Sequence, residues 1–262
     1  MVWTRLCLGV GLALALSMAA KPARADFSGC DTAIHTSDPR EQVRLYTLCI
    51  NSEGGGNRAG GYNNRGVAYD QLGEVDNALS DFTNSIANDS KWATPYINRG
   101  RIYLARGERD KAEADFDRAL KLQPNTDWAY AYVARGELKA GRGDCLGAID
   151  DFEQAQHRKH KLASAYEFEA FVLAACADAK VRDGARALVL AQKAATLDKD
   201  PLVHDVLAAA YAEQGQFDDA VREQTQAIQL DPGKTNVSVV DRDKALARYQ
   251  AKKPVRMSEG AP

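Results

Sequence analysis

Apolar, aromatic and small residues recur every 34 positions through the middle of this chain. In each interval an aromatic residue, a glycine and a second aromatic residue predict one helix, and an alanine and a phenylalanine four residues apart predict the next. Such a fixed period indicates a stacked array in which no unit can bury its apolar face alone. The pattern therefore predicts a scaffold that presents a surface, rather than an enzyme built around a cleft. The repeated positions are Gly66 and Gly100, Tyr69 and Tyr103, Gly73 and Gly107, Ala78 and Ala112, and Phe82 and Phe116.

The physical chemistry of these positions supports pairs of helices. Gly100 lies within a helical pattern, where glycine costs about 1 kcal/mol relative to alanine, and that cost is tolerated where two helices approach closely. Gly107 is expected to end the helix in the left-handed conformation that glycine favours, and Phe116 to fill the space between neighbouring pairs. The alternative interpretation is one amphipathic bundle whose spacing is coincidental. A third copy follows after a slip of two residues, at Arg135, Gly136, Gly143, Ala148 and Phe152.

These residues resemble the tetratricopeptide repeat, whose pattern runs Trp-x2-Leu-Gly-x2-Tyr, then Ala-x3-Phe, then Pro. The second copy matches best, with Tyr96-x2-Arg99-Gly100-x2-Tyr103, Ala112-x3-Phe116 and Pro124. The resemblance implies an all-α fold, a right-handed α-solenoid of stacked antiparallel helix pairs. The fourth unit is the most degenerate, with Phe171, Ala175, Ala187 and Ala191 at the signature places. The five predicted units are residues 59–92, 93–126, 129–162, 168–200 and 201–234.

In the tetratricopeptide repeat family the first helix of each pair lines the concave face, which places the candidate binding residues there. Their i, i+4, i+7 spacing gives a face of mixed polarity, which suits an extended peptide or a helix of another protein. A clamp for carboxylate tails, known in some relatives, is not expected, because only Asn98 matches that scheme. The alternative is ordinary solvated helix surface. The predicted partner-binding residues are Asn63, Val67, Asp70, Ile97, Asn98, Arg101, Leu104, Val133 and Glu137, with Asp205 and Ala209 in the last unit.

Three units carry arginine where the family usually has leucine, and the same units carry aspartate just before the phenylalanine. Because the two features occur together, we predict structural ion pairs that join the two helices or adjacent repeats. The alternative is that the arginines bind anions on the inner surface. The predicted pairs are Arg65–Asp81, Arg99–Asp115 and Arg135–Asp151.

The first 25 residues have the composition of a secretory signal. Arg5 precedes an apolar run over residues 6–20, no acidic residue occurs, and Ala23-Arg24-Ala25 forms an A-x-A cleavage site. Cleavage after Ala25 predicts a periplasmic or secreted mature chain, because the alanine-rich run resembles a bacterial export signal. The run is shorter than the roughly 20 residues of a spanning helix. A retained anchor is therefore the less favoured alternative, and no stable membrane insertion is expected after cleavage.

The net charge and the absence of known catalytic motifs argue against several classes of function, namely nucleic-acid binding, catalysis and metal binding. Removal of the signal segment, which holds three basic residues and no acidic ones, changes the net charge from −2 to −5. No long basic block remains, so nucleic acid is not an expected partner. No G-x-S-x-G, H-E-x-x-H or Cys–His signature occurs. His157 and His160 share a helix face, but two ligands without a third make a weak metal site. We expect no enzymatic activity, no metal and no cofactor.

Four cysteines remain after cleavage, and an even number in an exported chain indicates disulfides with three possible connectivities. The repeat architecture that the resemblance implies favours local pairings, because each unit touches only its neighbours. The predicted bridges are Cys30–Cys49 and Cys145–Cys176. The alternative is reduced cysteines that are buried as small apolar residues.

The segments on either side of the repeats predict caps. Residues 26–58 resemble a degenerate half-repeat, in which Asp38-Pro39 predicts a helix start and the glycine-rich run 53–61 predicts a flexible loop. In residues 235–262, a capping box at Ser238 and Asp241 predicts a capping helix that ends at Gln250, followed by a disordered tail.

The leading hypothesis is a non-enzymatic protein–protein interaction scaffold in the cell envelope, which binds a peptide or helix in its concave groove. The alternative is a structural subunit that assembles a larger complex through its convex face or its end helices. The identity of the partner does not follow from the sequence, because repeats of this family share a frame and vary their surface residues.

Overall fold

The computed structural model describes residues 35–51, 58–122, 128–231 and 240–257, and these ranges contain twelve α-helices and no strand. The predicted all-α repeat fold is therefore confirmed. The signal segment and Ser238 lie outside the described residues. The helices are α1 Pro39–Asn51, α2 Arg58–Gln71, α3 Val75–Asn88, α4 Ala93–Ala105, α5 Arg109–Lys121, α6 Trp128–Gly141, α7 Cys145–Arg158, α8 Ala163–Ala175, α9 Gly184–Leu197, α10 Pro201–Glu213, α11 Phe217–Leu230 and α12 Arg242–Gln250.

The helices fall into two compact units, the first containing α1 to α5 and the second α6 to α12. Within the first unit α2 packs against α3 and α4 against α5, while α1 packs on α2. Within the second unit the pairs are α6 with α7, α8 with α9, and α10 with α11, and α12 packs on α11. Each unit thus consists of helix pairs with one additional end helix.

The glycine and phenylalanine of each signature account for the close packing within a pair. A Cβ atom at Gly100 would lie 2.7 Å from Cε1 of Phe116, so the phenyl ring lies directly against the backbone of the first helix of its own pair. Gly107 has φ of 76°, the left-handed conformation expected where the first helix ends. The remaining signature glycines follow the same geometry.

The predicted start of the fourth unit at residue 168 is wrong. Helix α8 begins at Ala163, and Tyr166 takes the place of the first signature aromatic residue. Its hydroxyl donates to the His160 carbonyl six residues earlier, as the Tyr96 hydroxyl does to the carbonyl of Ser90. The turn to α9 spans residues 176–183, eight residues, whereas the other four pairs have turns of three. An insertion of five residues in this turn therefore shifted the apparent register of the unit.

Three expectations about the flanking segments also need correction. Residues 58–61 are helical rather than part of a loop, because Gly61 lets the side chain of Ile50 on α1 pack against α2. Helix α12 begins at Arg242 with Asp241 as its N-cap, whose carboxylate accepts from the Lys244 N–H, so Asp241 is not the third residue of a capping box. The expected disorder is wrong for residues 251–257, which pack against the second unit.

Candidate partner-binding surface

Arg65 and Asp81 form the first of the three predicted ion pairs. Nε and Nη2 of Arg65 donate to Oδ2 and Oδ1 of Asp81 over 2.7 and 2.8 Å, and Nη1 donates to the hydroxyl of Thr47 on α1. The guanidinium lies 5.6 and 5.8 Å from the ring centroids of Tyr62 and Tyr69. The hydrogen bond to Asp81 is the main cause of the raised pKa of Arg65. A fork geometry of this kind fixes α2 against α3.

The other two pairs repeat this arrangement with one difference. Arg99 donates to both Asp115 oxygens over 2.9 and 2.8 Å, and Arg135 donates to both Asp151 oxygens over 2.9 and 2.7 Å. Asp151 also has Lys139 Nζ 2.9 Å from its Oδ2, and its side chain has no exposed surface. The third aspartate therefore neutralises two cations, whereas each of the first two neutralises one arginine.

The predicted binding residues of the first unit lie on α2 and α4, which pack side by side. We call the half-exposed members of this set, Val67, Asp70, Asn98, Arg101 and Leu104, the α2–α4 face. The other two, Asn63 and Ile97, are buried. The Asn98 amide donates to Asn63 Oδ1 over 3.0 Å, so a buried residue of α2 orients the half-exposed amide of Asn98. The face thus presents an amide and two aliphatic side chains beside two opposite charges.

Asp70 and Arg101 influence each other electrostatically across this face. Partial burial raises the pKa of Asp70, and the positive charge of Arg101 opposes that rise. A partly desolvated carboxylate beside a cation interacts more strongly with an incoming charged or hydrogen-bonding group than a fully solvated one does. The α2–α4 face therefore has the chemistry to bind a polar main chain as well as apolar side chains.

The equivalent positions in the second unit are buried. Val133 and Glu137 on α6 are less than one-tenth exposed, so neither forms open surface in this structure. The regular spacing of 34 residues from α6 places Glu167 and Phe171 at the corresponding positions of α8, and both are buried as well. The sequence interpretation missed these two residues because it assigned the wrong register. The signal was present, since Tyr166 follows Tyr132 by the regular 34 residues.

Glu167 is an unusual side chain for this position. The pKa of Glu167 is raised to about 8, mainly by burial and in smaller part by the nearby negative charges of Asp200 and Asp198. Its Oε1 atom has no hydrogen-bond partner, and neither does Oγ of Ser164, one helical turn earlier. At neutral pH this carboxyl group is therefore mostly protonated and contributes no full charge to the surface.

Asp205, predicted to face the groove in the last unit, is instead bound by the end helix. Nε of Arg242 lies 3.1 and 3.0 Å from the two Asp205 oxygens, and Nη1 donates to Asp231 over 2.9 Å. Gln224, which replaces the signature phenylalanine of this unit, donates to Asp205 over 2.7 Å. All four side chains are buried. Helix α12 thus contributes the cation that neutralises both buried aspartates of the last repeat.

Cys145, the first residue of α7, lies against Cys176, the residue that follows α8. The sulfur atoms of Cys145 and Cys176 are 2.08 Å apart, which joins the start of one helix to the end of the next. Cys49 is buried on α1, and its predicted partner Cys30 lies outside the described residues. The Cys30–Cys49 bridge therefore stays a prediction.

Within the part of the chain that the structure describes, no group of three His, Cys, Asp or Glu side chains is arranged to hold a metal ion. None of the described helices has the length and apolar character to cross a membrane.

Comparison with known proteins agrees with the repeat geometry. Models of the tetratricopeptide repeat match residues 59–91, 93–126 and 203–234. A search of curated proteins finds no match. PilF of Pseudomonas aeruginosa aligns with a TM-score of 0.65 and 15% identity, over 82% of this chain and 90% of its own. YrrB, described as a TPR protein with an unusual peptide-binding site, aligns with a TM-score of 0.51 and 19% identity, over 72% of this chain and 94% of its own. A chain of the Cut9–Hcn1 hetero-tetramer of the APC/C aligns with a TM-score of 0.69 and 15% identity, over 95% of this chain and 47% of its own.

Proposed function

Because this chain belongs to the tetratricopeptide repeat family, whose members mediate protein–protein interactions, we propose that it is a non-enzymatic adaptor. Its α2–α4 face binds an extended peptide or a helix of another protein. The observation that carries the proposal is the contrast in exposure between equivalent positions of the two units. A buried side chain is not available to a partner. The inner positions of the first unit carry half-exposed side chains, whereas the equivalent positions of the second unit carry buried side chains.

The chemistry of the α2–α4 face suggests what the partner offers. Val67 and Leu104 provide apolar contact, while Asn98 can both donate to and accept from a peptide main chain. The neighbouring charges of Asp70 and Arg101 favour a partner with a polar or zwitterionic stretch between its apolar anchors. This combination matches recognition of an extended segment better than recognition of a uniformly charged surface.

A pull-down with a matched control tests the proposal. The mature chain, with Asn98→Ala and Arg101→Ala introduced together, should recover at least ten-fold less of the partner than the wild type does, which corresponds to about 1.4 kcal/mol. Arg118→Ala removes an exposed arginine of α5 and should leave recovery unchanged. Equal recovery by all three chains would contradict the proposal and move the binding function to the outer helices or the ends of the stack.

We also propose that the mature chain begins at Asp26 and works in the bacterial periplasm or outside the cell. Support comes from the composition of residues 1–25 and from the two sulfur atoms held at bonding distance between α7 and α8, since disulfides persist in oxidising compartments. Amino-terminal sequencing of the chain isolated from its own cells should begin at Asp26. A chain that retains Met1 in the cytoplasmic fraction would contradict this proposal.

A further inference from the structure

The chain returns across the second unit after α12. We call residues 254–257 the return segment. Lys252, with φ of 54°, turns the chain, and Arg248 donates to the Pro254 carbonyl over 3.1 and 2.8 Å. Val255 and Met257 are buried, whereas the side chain of Arg256 between them is one-third exposed (32%). In an extended chain alternate residues face the same side, so the two apolar side chains lie against the protein.

The return segment contacts the C-terminal ends of α8 and α10 in the manner of a bound peptide. The Met257 N–H donates to the Ala175 carbonyl over 2.7 Å. Nη2 of Arg256 lies 2.7 Å from Oε2 of Glu213, the last residue of α10. Main-chain hydrogen bonding combined with alternate buried side chains is one way in which extended peptides are recognised. The contacts thus define a receptor surface and a ligand within the same chain.

The five-residue insertion of the fourth unit builds one side of this receptor surface. Arg182, in the lengthened turn, donates to the carbonyls of Cys176 and Ala177 over 2.8 and 3.0 Å. Its Nε also donates to Oε1 of Glu213 over 2.9 Å. The Glu213 carboxylate therefore has one oxygen bound by Arg182 and the other directed at Arg256. This arrangement holds the acid in place for a basic side chain.

We propose that the ends of α8 and α10 form a second peptide-binding site, specific for an extended segment of apolar–basic–apolar sequence, and that the return segment occupies it in cis. A partner segment of that chemistry gains the site when the return segment leaves. The site lies in the second unit and is independent of the α2–α4 face. Its experimental test is therefore separate from the test of the proposed function.

A peptide of this chain provides the probe. Fluorescein-labelled peptide of residues 251–257 is titrated, by fluorescence anisotropy, with the full chain and with a chain that ends at residue 252. The shortened chain should bind the peptide. The full chain should bind it about ten-fold more weakly, because a tethered segment competes at an effective concentration on the order of millimolar.

Two peptide variants separate the specific contact from general charge. The Arg256→Glu peptide should lose binding to the shortened chain, because it places a carboxylate against Glu213. The Lys252→Glu peptide makes the same change of charge at an exposed position and should retain binding. Loss of binding by both variants would show attraction by net charge alone and would overturn the proposed site.

Other outcomes also decide the proposal. Equal binding of the peptide by the full and shortened chains, or no binding by a shortened chain that melts cooperatively, would overturn it. If the shortened chain does not fold, the full-length Val255→Asp, Met257→Asp variant replaces it, and the same gain of binding is expected. If neither chain folds, the return segment is an obligatory part of the core and the proposal fails.

Discussion

The two units use the same repeat positions in opposite ways. On α2 and α4 of the first unit, Val67, Asp70 and Arg101 remain half-exposed beside one another. In the second unit the residues at the positions of Val67 and Arg101 are buried, and Arg242 of the end helix neutralises the buried Asp205. These buried residues are Glu137, Phe171 and Ala209. The difference shows that the repeat frame alone does not make a binding surface, because the same frame can bury its inner positions in its own core.

The buried inner positions make the second unit dependent on its polar pairs. A charge or hydrogen-bonding group removed from water must find its partner inside the protein, and removal of that partner leaves the full desolvation cost. Exposed pairs contribute little because water replaces the lost contact. Substitution of the polar partners of these inner positions should therefore affect stability more in the second unit than in the first.

The largest effect is expected for Arg242→Ala. This change leaves Asp205 and Asp231 buried without the guanidinium and should lower the free energy of unfolding by about 4 kcal/mol, measured by urea denaturation. Arg101→Ala on the α2–α4 face is the matched control and should cost at most about 1 kcal/mol. A smaller loss for Arg242→Ala than for Arg101→Ala would contradict the contrast between the units.

The next effect concerns pH and Glu167. The pKa of Glu167 rises from 4.5 to about 8 on folding, so between these values the folded chain binds a proton that the unfolded chain does not. The contribution of Glu167 to stability should therefore be largest below pH 4.5 and decline by about 1.4 kcal/mol per pH unit until pH passes the folded pKa. Glu167→Gln removes this contribution. The difference in unfolding free energy between wild type and variant should change by about 3 kcal/mol from pH 5 to 7.5.

Asp70→Asn provides the control for this pH measurement in the first unit. The pKa of Asp70 is also raised by burial, but the charge of Arg101 opposes the rise, so the pH-dependent difference should be smaller. An equal slope for both variants would show that the two acids share a similar environment. That result would remove the distinction between the two faces.

The smallest effect compares two of the repeated ion pairs. Asp151→Ala deprives Arg135 and Lys139 of their carboxylate and should cost about 2 kcal/mol, while Asp115→Ala deprives only Arg99 and should cost about 1 kcal/mol. Thermal unfolding of the two variants measures the order. A larger loss for Asp115→Ala would show that the tyrosine rings around Arg99 make the first-unit pair the stronger one.

Residues close in sequence allowed much of the fold to be predicted. Helix ends at Gly73, Gly107 and Gly143 follow from the left-handed conformation that glycine adopts there. The pairing of Arg99 with Asp115 also follows from the sequence, since both residues recur with the repeat. The fourth unit was misassigned because Ala191 replaces its signature phenylalanine and its turn is longer. The residues that mark the repeat register were therefore missing or displaced.

The candidate surface could be predicted only in part. Helical spacing correctly groups Asn63, Val67 and Asp70 on one face of α2, but it carries no information about which of them another helix covers. Exposure depends on packing against α4, where Asn98 meets Asn63. The return segment was expected to be disordered as part of the tail that contains Pro254, Gly260 and Pro262. Its order comes from contacts with α8 and α10, elements more than 40 residues earlier in the chain.

The repeating helix pairs, their turn glycines and the Arg–Asp pairs follow from the sequence, because each depends on side chains at fixed short separations. Packing between distant helices sets which inner positions stay accessible, what neutralises Asp205, and where residues 254–257 lie. These features depend on desolvation by distant elements, and burial is a property of the assembled unit that no local pattern encodes.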